Sequence, residues 1–169
     1  MQERARNIQP YEAGTDAASV FTLWQTTVGK EDMPEVLAFE EREFPNWLKH
    51  YESCNRLRDY HDILVARDQN KNGQVVGTLI TSSPQSHPER TDVIWRVLPG
   101  YDAGSPGAVG VTPSEQGRGI GIALVSRASD LLKERGIRNC VIDWVVITDF
   151  YAKLEYAKWR AFHMSSREP

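Results

Sequence analysis

The 169-residue chain contains, at positions 109–121, the segment VGVTPSEQGRGIG. Together with the preceding Ala108, the first three residues of this segment, Val109-Gly110-Val111, predict a short buried strand. Residues 114–121 then lead into a stretch in which apolar residues recur at helical spacing: Leu124, Val125, Ala128, Leu131 and Leu132. Gly136 is placed to end that helix. The sequence therefore predicts a strand, a glycine-rich loop and a helix, in that order.

Three glycines, Gly117, Gly119 and Gly121, lie at this junction between strand and helix. Without a Cβ they let a ligand approach the backbone closely. The first amides of a helix have no intrahelical partner and the helix dipole is positive there, so an anion is stabilised. The Arg118 guanidinium can add charge-assisted hydrogen bonds. We expect this loop to bind phosphate; a glycine turn without a ligand is the alternative.

Two other phosphate-binding motifs fit the segment less well. A Walker A loop needs Gly-Lys followed by Ser or Thr, which the chain lacks. A dinucleotide-binding fingerprint finds partial support in Gly117, Gly119 and the later Asp143. Five residues, 112–116, nevertheless separate the strand from the first glycine, and Ile122 stands at the third glycine position. A dinucleotide-binding protein is therefore disfavoured.

Composition narrows the class of protein. The chain is 40% hydrophobic and 25% charged, as in ordinary globular domains, and its length favours a single domain over residues 1–169. The 20 Lys and Arg against 23 Asp and Glu give a net charge of −3, which argues against a nucleic-acid partner. No apolar run approaches the ~18 residues of a membrane span and no signal region is visible. We expect no membrane partner and a cytoplasmic location.

Cysteine and histidine spacing indicates neither a disulfide framework nor a metal site. Cys54 and Cys140 form no C-x-x-C pair, and two inert thiols are expected. The four histidines form no zinc-binding pattern, so we predict no metal.

The rest of the chain alternates helical and strand patterns. Pro45 is expected to interrupt a helical stretch that starts at Pro34, and Asn72-Gly73 predicts the turn of an antiparallel hairpin. The other predicted elements are a helix over 15–28, hairpin strands over 62–67 and 74–81, a strand over 93–98, a loop over 99–106, a strand over 140–146, a helix over 149–156 and a strand over 158–163.

The glycine segment and a later motif resemble the GNAT superfamily of acetyl-CoA-dependent N-acetyltransferases. Residues 111–121 fit that family's strand, its V-x-P and its R/Q-x-x-G-x-G/A loop, and Phe150-Tyr151-Ala152-Lys153-Leu154 fits its later helix motif. A weaker resemblance extends from Asn7 to Phe162. It implies an α/β, mixed α+β fold with a central mixed, splayed β-sheet flanked by helices, and acetyl-CoA as co-substrate.

The resemblance also implies where acetyl-CoA binds. The backbone from Val109 to Val111 would pair with the pantetheine arm in the gap of the splayed sheet. The Val111 amide is the candidate donor to the thioester oxygen. The remaining cofactor-binding candidates are Gln116, Gly117, Arg118, Gly119, Ile120 and Gly121; Gln116 would close the turn and the last four would hold the pyrophosphate.

Two residues are catalytic candidates. Tyr151 carries the family's general-acid position and would donate a proton to the departing thiolate; a core tyrosine is the alternative. Asp143 lies near the end of the preceding predicted strand. It could accept the ammonium proton or bind a cationic acceptor, and a helix cap or salt-bridge partner is the alternative.

Aromatic and acidic residues suggest the acceptor. Ring faces and carboxylates suit a hexose that carries an amine; the candidates are Trp95, Tyr101, Asp102, Asp143 and Trp144. Residues 95–102 and 142–160 resemble the GNAT branch that acts on glucosamine and glucosaminides. Protein lysine, polyamines and aminoglycosides remain alternative acceptors, core packing remains an alternative role for Trp95 and Tyr101, and a CoA-binding module without turnover remains an alternative function.

The sequence departs from the family pattern in two places. Glu155 stands where relatives usually have glycine, so the helix must end differently or Glu155 must be left-handed. No seventh strand follows residues 158–163. Either residues 93–98 fill its place or the exposed edge pairs with a partner subunit, which makes a homodimer possible.

Overall fold

The computed structural model describes residues 28–90, 103–158 and 161. These residues form four helices and four strands: α1 Met33–Glu43, α2 Leu48–Leu57, β1 Ile63–Asp68, β2 Gln74–Ser82, β3 Ala103–Val111, α3 Ile120–Glu134, β4 Asn139–Cys140 and α4 Thr148–Ala152. Short 3₁₀ turns join several of them. The predicted helix over 15–28 falls outside the described residues except for its last residue, and the predicted strand over 93–98 lies wholly outside them.

Helices α1 and α2 form a pair that covers one face of the sheet. The predicted break at Pro45 is confirmed, because α1 ends at Glu43 and α2 begins at Leu48. Helix α2 ends at Leu57, and its C-cap Arg58 has a left-handed φ of 58°. Apolar side chains of the two helices pack with those of β1 and β2 in one buried cluster: Val28, Met33, Val36, Tyr51, Cys54, Ile63, Val65 and Ile80.

The sheet has the strand order β1-β2-β3-β4. β2 pairs antiparallel with β1 and β3, whereas β4 pairs parallel with β3 after the α3 crossover. The predicted hairpin is confirmed, with Asn72 and Gly73 both at positive φ. Helix α3 packs on the opposite face through Leu124 and Ala128. The predicted fold class, a mixed sheet flanked by helices, is confirmed.

β3 and β4 part after only two residue pairs, Ala103 with Asn139 and Gly104 with Cys140. The Val141 amide still donates to the Gly104 carbonyl at 2.9 Å, but residues 141–147 form no strand. The predicted strand over 140–146 is therefore wrong beyond Cys140. Pro106 supplies the physical reason, because it has no N–H to continue a ladder on the side of β3 that faces β4.

Other element boundaries also differ from the prediction. β3 begins at Ala103, so the predicted loop over 99–106 is wrong for residues 103–106, where pairing with β2 outweighs the weak strand propensity of Gly and Pro. Helix α4 spans Thr148–Ala152 rather than 149–156. Glu155 has φ 62°, the left-handed alternative. Residues 158 and 161 are not in a strand, and the rest of the predicted strand over 158–163 is not described.

A buried ion network lies where β1 begins and β2 ends. Asp62 is fully buried and accepts hydrogen bonds from Arg90 and Arg135, and Asp59 lies 3.1 Å from Arg90. Asp59, His61 and Asp62 are close enough to hold a cation. The two arginines already neutralise these carboxylates, so the cluster supports the fold by joining β1, residues 83–90 and the end of α3.

Two further sequence expectations bear on the described residues. Cys54 and Cys140 are both free thiols, as predicted, and burial raises the pKa of Cys140 to about 11. Across residues 28–90, 103–158 and 161, no helix is long and apolar enough to cross a membrane.

Candidate active site

The gap between β3 and residues 141–147 is a cavity of about 510 Å³. Residues 103–109 of β3 form one wall, and residues 141–147 with Tyr151 form the other. Trp47, which precedes α2, and His50 of α2 also line the cavity, as do Ser82 and Ser83 at the end of β2. The separation of the two strands therefore creates an opening in the middle of the sheet.

A β-bulge in β3 decides which backbone groups face this gap. Gly104 points its carbonyl at Val141, whereas the Thr112 amide bonds the Val76 carbonyl at 2.9 Å on the β2 side. Backbone groups alternate sides along a strand, so these two directions require one extra residue between them. The pairing of β2 with β3 contains this extra residue. Ile80 pairs with Gly107 and Thr78 pairs with Gly110, so two steps along β2 correspond to three steps along β3. Because of this shift, the Val111 amide and carbonyl face away from β2, to the side of β3 on which β4 pairs.

Gln116 ties the following loop to this strand end. Its side-chain amide donates to the Val111 carbonyl at 3.2 Å. The contact holds the 112–116 segment against β3.

The glycine loop has the geometry of an anion-binding helix start. Gly119 is the N-cap of α3 with φ 81°, and Gly117 has φ 80°, conformations that only glycine adopts without strain. Among the residues that the structure describes, no side chain caps the helix, and no heavy atom lies within 4 Å of where a Cβ on Gly117 would stand. Open space therefore lies beside Gly117, two residues before the N-cap of α3, at the place where the sequence predicts an anion.

Arg118 is held by carboxylates that the sequence analysis missed. Its guanidinium pairs with Glu115 and lies 3.4 Å from Asp68, while its side chain stays 31% exposed. Lys71 also bonds Glu115. Hydrogen bonds from Lys71 and then Arg118 lower the pKa of Glu115. The network places a half-exposed arginine beside the glycine loop, fixed to the β1–β2 hairpin.

The absence of a side chain at Gly121 also makes room for a neighbouring side chain of α4, in addition to the ligand access that the sequence suggests. A Cβ there would stand 3.2 Å from Cζ of Phe150 and 3.7 Å from Cγ2 of Val111. The close contact is with a side chain of α4. Gly121 thus lets α4 pack against the start of α3, next to the end of β3.

Tyr151 reaches the cavity from α4. Its ring packs edge-on against Phe150, with centroids 4.9 Å apart, and lies 6.3 Å from Tyr156. Burial raises the pKa of Tyr151, and the nearby charge of Asp143 raises it further. The phenol is therefore neutral near pH 7 and carries a proton that it can donate.

Asp143 and Trp144 lie on the irregular segment that forms the second wall. Trp144 has φ 50° and is 70% exposed, so its indole ring is available at the cavity. The structure brings Val109, Asp143, Trp144 and Tyr151 to one cavity. The acceptor candidates Trp95, Tyr101 and Asp102 lie outside the described residues.

Sequence reasoning missed the contribution of α2 to the cavity. Trp47 fits the apolar stripe of that helix and stacks on Phe44 at 5.1 Å, so its pattern is that of a core residue. His50 and the serines after β2 follow no motif. Only the packing of α2 across the sheet brings them to the gap.

Comparison with known proteins agrees with this geometry. Residues 27–162 match the model of the acetyltransferase (GNAT) family. A GCN5-related glucosamine N-acetyltransferase region in a fungal multi-domain GH3 β-N-acetylglucosaminidase is 36% identical, with TM-score 0.76 over 89% of this chain; the match spans 18% of that longer chain.

Two other solved structures are similar in fold alone. A GNAT family acetyltransferase from Brucella melitensis, in complex with acetyl-CoA, is 22% identical with TM-score 0.56, over 84% of this chain and 89% of that one. Glucosamine-6-phosphate N-acetyltransferase from Arabidopsis thaliana is 18% identical with TM-score 0.54, over 83% and 95%. The family match covers most of the chain and confirms the predicted enzyme class, so this chain belongs to the GNAT family of acetyltransferases.

Proposed function

We propose that this chain transfers the acetyl group of acetyl-CoA to the primary amine of an amino sugar such as glucosamine. The observation that carries the proposal is the convergence of Asp143, Trp144 and Tyr151 on the cavity beside β3. The 36% identity to a glucosamine N-acetyltransferase region supports the choice of acceptor.

Acetyl-CoA is the donor in this proposal. Its pantetheine arm would lie along β3 from Val109 to Val111, where the bulge turns the Val111 amide and carbonyl toward the gap. Its diphosphate would lie on the first turn of α3, at the loop of Gln116, Gly117, Arg118, Gly119, Ile120 and Gly121. The open space at Gly117 and the uncapped helix start support this placement.

The transfer needs a hydrogen-bond donor, a proton donor and a route for the amine proton. The amine nitrogen attacks the thioester carbon, the C–N bond forms, and the C–S bond then breaks. The Val111 amide donates to the carbonyl oxygen as it becomes negative. Tyr151 gives its proton to the leaving thiolate, and the proton that the nitrogen loses passes through solvent to restore the Tyr151 phenol, so the products are an amide and CoA with a free thiol.

Asp143 fits either of two roles at this step. As a base it would take a proton from the ammonium group and so give the neutral amine that attacks; as a binding group it would hold the cationic amine before transfer. The rise that its charge causes in the pKa of Tyr151 indicates that the two side chains interact. The Asp143→Asn variant separates the two roles.

Trp144 supports a sugar acceptor. An exposed indole face beside a carboxylate can stack on the apolar face of a pyranose while the acid contacts the amine. We propose that Trp95, Tyr101 and Asp102 contribute to the same acceptor site. In this proposal the partner is a small-molecule amine, with neither nucleic acid nor membrane involved.

The test is release of CoA from acetyl-CoA against a panel of amines: glucosamine, a chitobiose-type amino sugar, spermidine, an aminoglycoside and a lysine peptide. We expect turnover with the sugars, and a higher KM for them in Trp144→Ala with the KM for acetyl-CoA unchanged. A clear preference for another amine would overturn the acceptor. Binding of acetyl-CoA without any turnover would favour a CoA-binding module.

A further inference from the structure

We propose that Tyr51 is a positioning residue for the transfer: its hydroxyl holds Ala108 in the bulge that turns the Val111 amide into the gap. This inference rests on the proposed contact between the Val111 amide and the thioester oxygen. Tyr51 itself touches neither substrate.

Ala108 stands in an unfavourable backbone conformation. Its φ is 48°, within a β-strand, where an L-residue with a Cβ costs about 1–2 kcal/mol relative to the right-handed region. Such a residue keeps its conformation only when its surroundings hold it. Among the described residues, the other non-glycine residues with positive φ lie at helix ends, turns or loops, whereas Ala108 lies inside β3.

Tyr51 supplies the contact that holds Ala108. Its hydroxyl donates to the Ala108 carbonyl at 3.0 Å, across 57 residues of sequence. The Tyr51 side chain is fully buried on α2, and burial raises its pKa well above the ordinary value, so it remains a neutral donor. A rigid aromatic side chain anchored in a packed helix fixes the carbonyl direction and with it the peptide plane between Ala108 and Val109.

The helix pair holds the other side of the bulge as well. Phe44, at the end of α1, packs so closely on Gly110 that a Cβ there would lie 2.4 Å from its ring. Thr78, opposite Gly110 on β2, donates to Glu40 of α1 at 2.5 Å. The extra residue of β3 is therefore held between two points that α1 and α2 fix.

The bulge matters because it changes which amide faces the gap. In an unbulged ladder continuing from Ile80–Gly107, Val111 would pair with Val76 and its amide would point to β2. Residues 108–111 would then present different backbone groups to acetyl-CoA. If Ala108 relaxes toward an extended conformation, β3 moves toward this unbulged ladder. The Val111 amide then turns away from the position that the proposed transfer needs.

The experiment uses three full-length variants. Tyr51→Phe removes only the hydroxyl. Tyr60→Phe is the matched control, because the Tyr60 hydroxyl contacts the Asn55 carbonyl of α2, away from β3. Tyr51→Phe combined with Ala108→Gly is the rescue, since glycine adopts positive φ without strain and does not need the hydroxyl. Circular dichroism and thermal unfolding confirm that each variant is folded.

The primary readout needs no acceptor. It is the ratio of affinities for acetyl-CoA and S-ethyl-CoA, a thioether without the carbonyl oxygen, measured by calorimetry. We expect the intact chain and Tyr60→Phe to prefer acetyl-CoA, Tyr51→Phe to lose most of that preference, and the double variant to regain it. With an active acceptor, kcat of Tyr51→Phe should fall about tenfold, equivalent to one net hydrogen bond, with KM for the amine unchanged.

Three results would overturn the inference. They are an unchanged preference in Tyr51→Phe, a loss that Ala108→Gly does not restore, and the absence of any preference in the intact chain. These results differ from those expected if only the proposed acceptor is wrong. In that case no amino sugar would turn over, but the chain would keep its preference for acetyl-CoA and the dependence of that preference on Tyr51.

Discussion

Replacing the buried Glu40 by glutamine should stabilise the protein at neutral and alkaline pH. Glu40 lies on α1 with no exposed surface, and its Oε1 accepts a hydrogen bond from Thr78 at 2.5 Å. Among the described residues, its Oε2 has no hydrogen-bond partner. Burial raises the pKa of Glu40 to about 7, and the neighbouring hydroxyls of Thr78 and Tyr51 offset only part of that rise. The ionised form is therefore unfavourable in the folded state.

The direction of the pH effect follows from the two pKa values. Between the ordinary pKa of 4.5 and about 7, the folded state binds a proton that the unfolded state has released. The free energy of unfolding therefore falls as pH rises through this window and levels off above it. At 1.36 kcal/mol for each pKa unit, the loss from this group amounts to roughly 3 kcal/mol.

Urea unfolding between pH 5 and pH 8 measures this effect. Glu40→Gln is neutral throughout, so its advantage over the wild type should grow from about 1 kcal/mol at pH 5 to roughly 3 kcal/mol at pH 8. Glu41→Gln, on the exposed side of the same helix, is the matched control and should keep the wild-type pH dependence. If the stability of Glu40→Gln followed pH in parallel with that of the wild type, the raised pKa of Glu40 would not be the cause of the loss.

Three further variants test the site and the bulge. Tyr151→Phe should lower kcat by roughly 10² to 10⁴, because the thiolate loses its proton donor; steady-state kinetics with an unchanged kcat would remove Tyr151 from the mechanism. Asp143→Asn should lower kcat if the carboxylate is the base and raise KM for the amine if it binds the acceptor; neither role survives if both constants stay at their wild-type values. Gly110→Ala should lower the stability of the protein by about 1–3 kcal/mol, because its Cβ would meet the Phe44 ring. Gly107→Ala is the control: among the described residues its Cβ would approach only the Ile80 carbonyl oxygen, at 4.0 Å, so its thermal unfolding should stay near that of the wild type.

Local patterns were sufficient to predict much of the fold. The two left-handed residues at Asn72 and Gly73, the break at Pro45 and the helix that starts after Gly119 all depend on backbone preferences of single residues. The paired family motifs around Gly119 and Tyr151 then indicated the fold class. These features need no knowledge of what lies across the sheet.

The rest of the site depends on tertiary contacts that no local pattern reveals. Residues 141–146 are apolar enough for a strand, yet they leave the sheet because Pro106 cannot continue the ladder. The bulge at Ala108 has no glycine to mark it, since Tyr51 and Phe44 hold it from helices more than 50 residues away in sequence. Arg118 suggested a phosphate ligand, but its carboxylate partners became evident only in the folded hairpin.

The direct test of acetyl transfer in the gap between β3 and residues 141–147 is an NMR experiment. The chain is mixed with glucosamine and with acetyl-CoA that carries ¹³C at its acetyl carbonyl, and the carbonyl signal is followed over time. We expect the thioester signal to be replaced by the amide carbonyl of N-acetylglucosamine, with one CoA thiol released for each amide formed. A thioester signal that persists while the chain binds acetyl-CoA, or conversion to free acetate alone, would contradict this expectation.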